Sequence, residues 1–414
     1  MYADPRHARI GILLRQGRLD DARREVLELL AGEPADVGYL ATLAEIQLRQ
    51  EDAIAADETV NQALGIAPDD PGLLFIKSRV KLQQRDYGAA ESLLRELIAL
   101  DPLDPDARAV LAQSLLLQKD FTGALAAADA ALSLSPQHLL ALNLRSKALI
   151  KLDRREESYA TIEGALREDP DNAYTHANYG WGLLETGDYD KAKEHFAQSL
   201  RADPTDDYAR SGMAEAVKAR NPLYRLFLKY AFFMQNLTER YQWGVIIGIY
   251  VLYRIINGVA RSNPDLQPVL YPLLGVLTVA AISTWVIEPI GNLFLRLDRH
   301  ARYLLDEGEI RTANLAAVCL AATGVGVLGY LVSGLPGFLV LAAYGFTMLL
   351  PVGQAYAQVK RPGLIRGYGI CLALVGMVAV IFAFTTAPFN LFTVIYLLGL
   401  FAFQWVANFQ LVRH

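Results

Sequence analysis

No aspartate or glutamate follows Glu309 in this 414-residue chain, a stretch of 105 residues. A water-soluble domain of that length cannot clothe its surface without acidic side chains. The stretch reads instead as helix facing hydrocarbon, where a charge costs about 2.5–3.5 kcal/mol even on lenient scales. Cysteine is nearly absent. Cys319 and Cys371 both fall inside apolar runs, which excludes a disulfide framework and fits small apolar residues in a protein facing a reducing compartment. Histidine is missing between His300 and His414, so the membrane half has no base for a serine-type intramembrane protease. It also lacks a carboxylate pair for the aspartyl type and a ligand cluster for the metal type. The motifs HExxH, GxxxxGK[ST], GxSxG and CxxC do not occur. Gly324, Gly326 and Gly329 spell GxGxxG, but no strand precedes them and no carboxylate follows, so they read as helix-packing positions. Gly244 and Gly248 read the same way. Glu288, before Pro289, reads as a residue marking the exit of a helix. The expectation is a protein without catalytic residues, metal or cofactor.

What the chain does have is a period. Proline stands at positions 34, 68, 102, 136, 170 and 204, six successive multiples of one number. Twelve residues before each proline come Ala22, Ala56, Ala90, Ala124, Ser158 and Ala192. Twenty-four before come Ile10, Ala44, Ser78, Ala112, Ser146 and Gly180. Small residues at two fixed offsets, in all but Ile10, suit two helices that approach closely. The junctions between them, Gly17-Arg18, Asp86-Tyr87, Asp120-Phe121 and Gly187-Asp188-Tyr189, are turn and capping residues. These features resemble the tetratricopeptide repeat family over residues 3 to 204. The sixth unit matches best, from Tyr179-Gly180 through Leu183, Gly187-Asp188-Tyr189, Ala192 and Phe196 to Asp203-Pro204. Arg9, Lys77 and Arg145 depart from the pattern at a usually apolar helix position, and repeats two and five lack the turn glycine. The segment from Asp206 to Arg220 reads as a capping helix.

Composition changes at Asn221-Pro222. Residues 1–220 hold 26 Lys and Arg against 37 Asp and Glu, whereas residues 221–414 hold 13 against 7. Six runs of about 17–25 largely apolar residues follow, the length a bilayer requires. They lie near 242–259, 268–287, 313–333, 336–358, 366–387 and 390–410. Arg254 reads as snorkelling from the end of the first, and Pro351 as kinking the fourth. Basic residues gather on one side: Arg225, Lys229 and Arg240, then Arg296, Arg299, Arg302 and Arg311, then Lys360, Arg361, Arg366 and Arg413. The positive-inside rule therefore places both termini and the repeats in the cytoplasm. Residues 223–237 and 290–304 mix basic and apolar side chains at helical spacing, as interfacial helices do. Met1 to Gln16 carries charges throughout and lacks the apolar core of a secretory signal, so no cleavage is expected.

The expected architecture is all-α: a solenoid of six repeats plus a capping helix over 1–220, an amphipathic linker over 221–241, and a six-helix membrane domain over 242–414. The resemblance implies that residues five, nine and thirteen of each unit line a concave peptide-binding groove. By position these include Arg79, Gln113, Asn143, Lys147, Lys151 and Trp181, with Glu45, Arg49 and Phe75 at matching places. Such a groove suits a cytoplasmic protein or an extended acidic peptide. The resulting expectation is a membrane-anchored, non-enzymatic adaptor or scaffold in a bacterial inner membrane. Its partners would be the bilayer, a cytoplasmic protein and an intramembrane protein, with no nucleic acid. The alternative is a transporter or channel subunit regulated by the repeats, with Thr347, Gln354 and Gln358 on one helix face and Gln404 and Asn408 on another.

Overall fold

The computed structural model describes residues 5–298, 301–356, 361–385 and 387–410; the side chains of 5–7, 223, 239–240, 246, 272, 275–276, 279–285, 408 and 410 are excepted. The described residues form helices and no strand. The first twelve pair as α1 (Pro5–Arg15) and α2 (Leu19–Gly32), α3 (Val37–Arg49) and α4 (Ala53–Ile66), α5 (Pro71–Gln83) and α6 (Tyr87–Leu100). Then come α7 (Pro105–Leu117) and α8 (Phe121–Leu134), α9 (Leu139–Lys151) and α10 (Arg155–Glu168), α11 (Ala173–Thr186) and α12 (Tyr189–Ala202). The rest are α13 (Asp207–Lys218), α14 (Pro222–Asn236), α15 (Glu239–Ser262), α16 (Gln267–Leu297), α17 (Glu307–Ser333), α18 (Pro336–Thr347), α19 (Leu349–Gln354), α20 (Pro362–Thr385) and α21 (Leu391–Gln410). By packing, the chain divides into residues 1–186 with 201–204, and residues 187–200 with 205–414. The compact division thus falls at Gly187, whereas the composition changes at Asn221.

Each element boundary in the repeats has a local cause. The first residues of α3, α5, α7, α9, α11 and α13 follow Asp36, Asp70, Asp104, His138, Asn172 and Asp206, which share the spacing of the prolines. Each of these side chains accepts a hydrogen bond from a backbone N–H of the first turn, at 2.8 to 3.2 Å. His138 does so through Nδ1, while its Nε2 meets Asp106 at 2.9 Å. The first helix of each of the first five pairs ends in a hydrogen bond that reaches back five residues, for example Asp120 N–H to Leu115 C=O at 2.9 Å. That closure places residues 17, 51, 85, 119 and 153 at positive φ, and Gly187 holds the equivalent place in the sixth repeat, also at positive φ. Glycine occupies only the first and last. Glu51, Arg85, Lys119 and Asp153 hold the others, so four repeats lack the turn glycine rather than the two expected.

In the first five pairs the small-residue positions are where the paired helices touch. Ala22, Ala56, Ala90 and Ala124 are wholly buried, as are Ala44, Ser78 and Ala112. In the fifth repeat the pair is serine on serine, with hydroxyls 2.7 Å apart. Around them apolar side chains close successive core clusters, with Val60 and Leu73 in one and Leu94 and Leu149 in the next.

In the second unit α17 and α18 form a tight hairpin turned by Gly334 at φ +67°. A Cβ on Gly345 would lie 2.7 Å from the Cys319 carbonyl, and one on Gly326 would meet the Ala342 backbone. This part of the GxGxxG letters serves helix packing, whereas Gly324, Gly244 and Gly248 face open space. The fourth apolar segment bends at Met348, between α18 and α19, where Pro351 removes the N–H that would bond the Thr347 carbonyl. Glu288 does not mark a helix exit, because α16 runs through Pro289 to Leu297. Four described helices are long and apolar enough to cross a membrane: Tyr241–Ser262, Glu307–Ser333, Pro336–Gln354 and Pro362–Thr385. The segment near 268–287 lies in α16 and includes side chains outside the described set, and Leu391–Ala407 is a shorter apolar helix. Gln358, Lys360, Arg299 and Arg413, and the side chains of Arg240 and Asn408, also lie outside the described residues.

A non-glycine residue at positive φ costs about 1–2 kcal/mol, partly offset when glycine's greater chain entropy is counted. Lys119→Gly is therefore expected to stabilise the protein by about 0.5–1 kcal/mol, and Gly17→Ala to destabilise it by about 1 kcal/mol. Thermal unfolding of the full-length protein checks both signs.

Candidate functional site

The first helices of the repeats place residues one period apart at equivalent points, so α3, α5, α7, α9 and α11 present Glu45, Arg79, Gln113, Lys147 and Trp181 in series. One turn further on stand Arg49, Gln83, Leu117, Lys151 and Glu185. All lie within the first compact unit.

Side chains in this series contact one another across repeats. Arg79 reaches Glu45, one repeat earlier, at 2.5 Å, and Glu45 also holds Arg49 at 3.1 Å. Arg79 stacks over the Phe75 ring at 6.0 Å. Lys151 pairs with Glu185, one repeat later, at 2.6 Å, with both side chains mostly shielded. The Lys147 ammonium lies 5.5 Å from the centre of the Tyr174 ring, an attractive arrangement because the ring face is electron-rich. Gln113 and Trp181 are half-buried on α7 and α11.

Asn143 stands apart from the other candidates. It is wholly buried, donates to the Leu139 carbonyl and to Thr175 Oγ1, both at 2.9 Å, and accepts from Asn178 at 3.1 Å. Its amide ties α9 to α11 and is not presented to a ligand, because its helix position turns toward the next repeat. Tyr174 and Glu185 were not among the sequence-derived candidates. The period itself held the signal for Glu185, since it lies one repeat after Lys151.

The cations at usually apolar positions have partners on neighbouring helices. Arg9 pairs with Glu25 at 3.1 Å, and Arg145 with Asp129 at 2.7 Å. Lys77 donates to Asp57 and Asn61, both at 2.6 Å, with Lys81 3.3 Å from the same Asp57 carboxylate. These bonds hold α5, which carries Phe75 and Arg79, against α4. Burial raises the Asp57 pKa, but hydrogen bonding and attraction from Lys77 and Lys81 outweigh it, so the carboxyl sits below its ordinary value.

Tetratricopeptide-repeat models match residues 11–71 and 77–138, then 115–177, then 173–206. The N-terminal half is a tetratricopeptide-repeat array. Among solved structures, the tetratricopeptide-repeat protein TTC0263 of Thermus thermophilus is 20% identical, with a TM-score of 0.42, over 44% of this chain and 98% of its own. MamA from Desulfovibrio magneticus RS-1 is 20% identical, with a TM-score of 0.34, over 41% and 97%. YrrB, described as having an unusual peptide-binding site, is 15% identical, with a TM-score of 0.33, over 44% and 95%. No curated protein matches. An array of this kind is in general a protein-interaction scaffold, with an extended surface built from stacked repeats.

A lowered folded pKa contributes stability above the unfolded carboxyl pKa of about 3.9 and loses it as pH falls through the folded value. Asp57→Asn should therefore lower stability at pH 7 and lower it by less at pH 2. Urea titrations of both forms at the two pH values measure this difference.

Proposed function

We propose that this protein is a non-enzymatic, membrane-anchored adaptor that recruits a cytoplasmic protein or peptide through the first-helix face of its repeats. The observation that carries the proposal is the aromatic and charged series across successive repeats, joined in one chain to helices long and apolar enough to cross a bilayer. In this reading residues 1–220 are the recognition part, 221–241 an amphipathic linker, and 242–414 a bundle of six spans in a bacterial inner membrane. Both termini are then cytoplasmic, as the basic loops require.

The ligand surface comprises Arg79, Gln113, Lys147, Lys151 and Trp181, with Tyr174. Asn143 supports it from within. Arg79 and Lys151 are already engaged by Glu45 and Glu185. An acidic ligand must compete with those carboxylates, and Lys147 lies over the face of the Tyr174 ring. The ligand best suited is an extended segment with an acidic group next to an apolar one.

A second reading, transport by the membrane half, draws on Gln354 and Gln404. Gln354 Oε1 and Gln404 Nε2 are buried without a hydrogen-bond partner among the described residues. Thr347 and Tyr396 nearby bond at 2.8 Å, as an interhelical contact would. Solute flux through liposomes holding the protein, reduced by Gln354→Leu, would favour transport over anchoring.

The adaptor reading is tested by capture of the full-length protein from native membranes, beside Lys147→Glu and Trp181→Ala variants. Central aromatic and cationic anchors cost about 2 kcal/mol each when lost, roughly a 30-fold fall in affinity. A partner retained by the parent and lost from both variants is the expected result. Equal retention by all three would remove the groove from the account.

A further inference from the structure

Helix α15 is the least covered of the candidate spans: 6% of its apolar window is buried, against 44% for Pro336–Gln354. Its outward side exposes Trp243, Ile247, Tyr250 and Ile255. It also exposes Arg254, which makes no ion pair or hydrogen bond among the described residues. We infer that this side of α15 docks a transmembrane helix of a different membrane protein, one carrying an aspartate or glutamate at the depth of Arg254. The inference rests on the reading of α15 as a span.

Three observations lead there. First, Arg254 is badly placed to escape the bilayer on its own. Eight residues separate it from Ser262 at the near end of the helix, about 12 Å at 1.5 Å per residue. Helical side chains also lean toward the N-terminus, so the guanidinium is directed away from that end and toward the middle of the span. Snorkelling, a natural reading for a run ending at 259, fits poorly once the helix continues to Ser262. A cation so placed requires a counter-charge.

Second, no described residue pairs with it. Between Glu239 and Asp265 there is no carboxylate. A second copy of this protein cannot help either. Copies inserted in the same direction would meet on this face with Arg254 opposite Arg254, a like-charge contact in a medium of low dielectric. The occupant is therefore a different chain, of opposite charge at that depth.

Third, there is room for a helix. Gly258 lies one turn from Arg254 on the same face, with Gly244 toward its edge, and both have open space where a Cβ would stand. Small residues let two helix backbones approach closely, and in a membrane that packing drives association.

The test places a photo-crosslinking residue at Ile247 or Tyr250 in the full-length protein in native membranes and sequences the crosslinked peptide. The expected product is an apolar segment of another protein that contains Asp or Glu. Its yield should fall at least tenfold with Arg254→Leu. It should return when Arg254→Glu is combined with an Arg replacing the partner's carboxylate. Crosslinks to lipid alone, to another copy of this chain, or to a segment without a carboxylate would overturn the proposal. So would a yield indifferent to Arg254→Leu or a failed charge exchange. A Gly248→Cys variant probed with an impermeant maleimide separates the two levels: labelling in sealed vesicles overturns the span itself, whereas protection with failed crosslinking overturns only the docking.

Discussion

Ala44 and Ala56 are both fully buried where α3 meets α4, and equivalent small side chains recur in the repeats that follow. The array depends on this contact. Two helices joined by so short a turn can lie side by side only if one point on each is nearly bare of side chain. Once they do, the larger residues on either side of that point close into a common core. The first helix of every pair is then held at a constant orientation, so residues one period apart acquire equivalent places. Where the fifth repeat has serine at both positions, a hydrogen bond between the hydroxyls satisfies the polar atoms inside the contact.

That regularity also explains why the charged groups of the first-helix face meet across repeats. Glu45 and Arg79, like Lys151 and Glu185, are one period apart in sequence and within bonding distance in space. A salt bridge between equivalent positions joins adjacent repeats without changing the net charge of the surface. Beside these pairs the same face carries the half-buried rings of Phe75 and Trp181, the exposed ring of Tyr174, and a lysine held over the last. On the proposed reading, this face is better described as aromatic with compensated charge than as basic.

Much of this was legible in the sequence, and the exceptions have physical reasons. The helices, their caps and their close contacts follow from proline, aspartate and alanine at fixed offsets, because each acts locally. The positive-φ turns were legible only where glycine marks them. At Glu51, Arg85, Lys119 and Asp153 the backbone hydrogen bonds of the turn impose a conformation that the side chain does not advertise. Asn143 was misplaced for a related cause. A position within a repeat identifies the helix face, but not whether a polar side chain there points into the groove or bonds the next helix, and Asn143 finds Thr175 and Asn178. The expectation that α16 stops at Glu288 gave proline too much weight, since a helix that loses one hydrogen bond can continue where packing supports it.

If the apolar helices of the second half span a bilayer, they obey a different solvent, and this alters what an exposed residue means. In the repeats an exposed arginine is solvated, and its pairings are nearly neutral in free energy. On α15 the same residue type faces hydrocarbon if the helix spans, and water can no longer compensate its charge. One apolar helix would be sufficient to anchor a scaffold, so tethering alone does not account for a half-chain of apolar helices with internal hydrogen bonds such as Tyr344 to the Ala373 carbonyl and Tyr368 to the Gly399 carbonyl, at 2.9 and 3.0 Å. A surface that must recognise another helix does need such a body. Positioning a charge and a glycine-lined face at fixed depth requires neighbours that hold the helix still, and a lone span, free to rotate and tilt, cannot provide them.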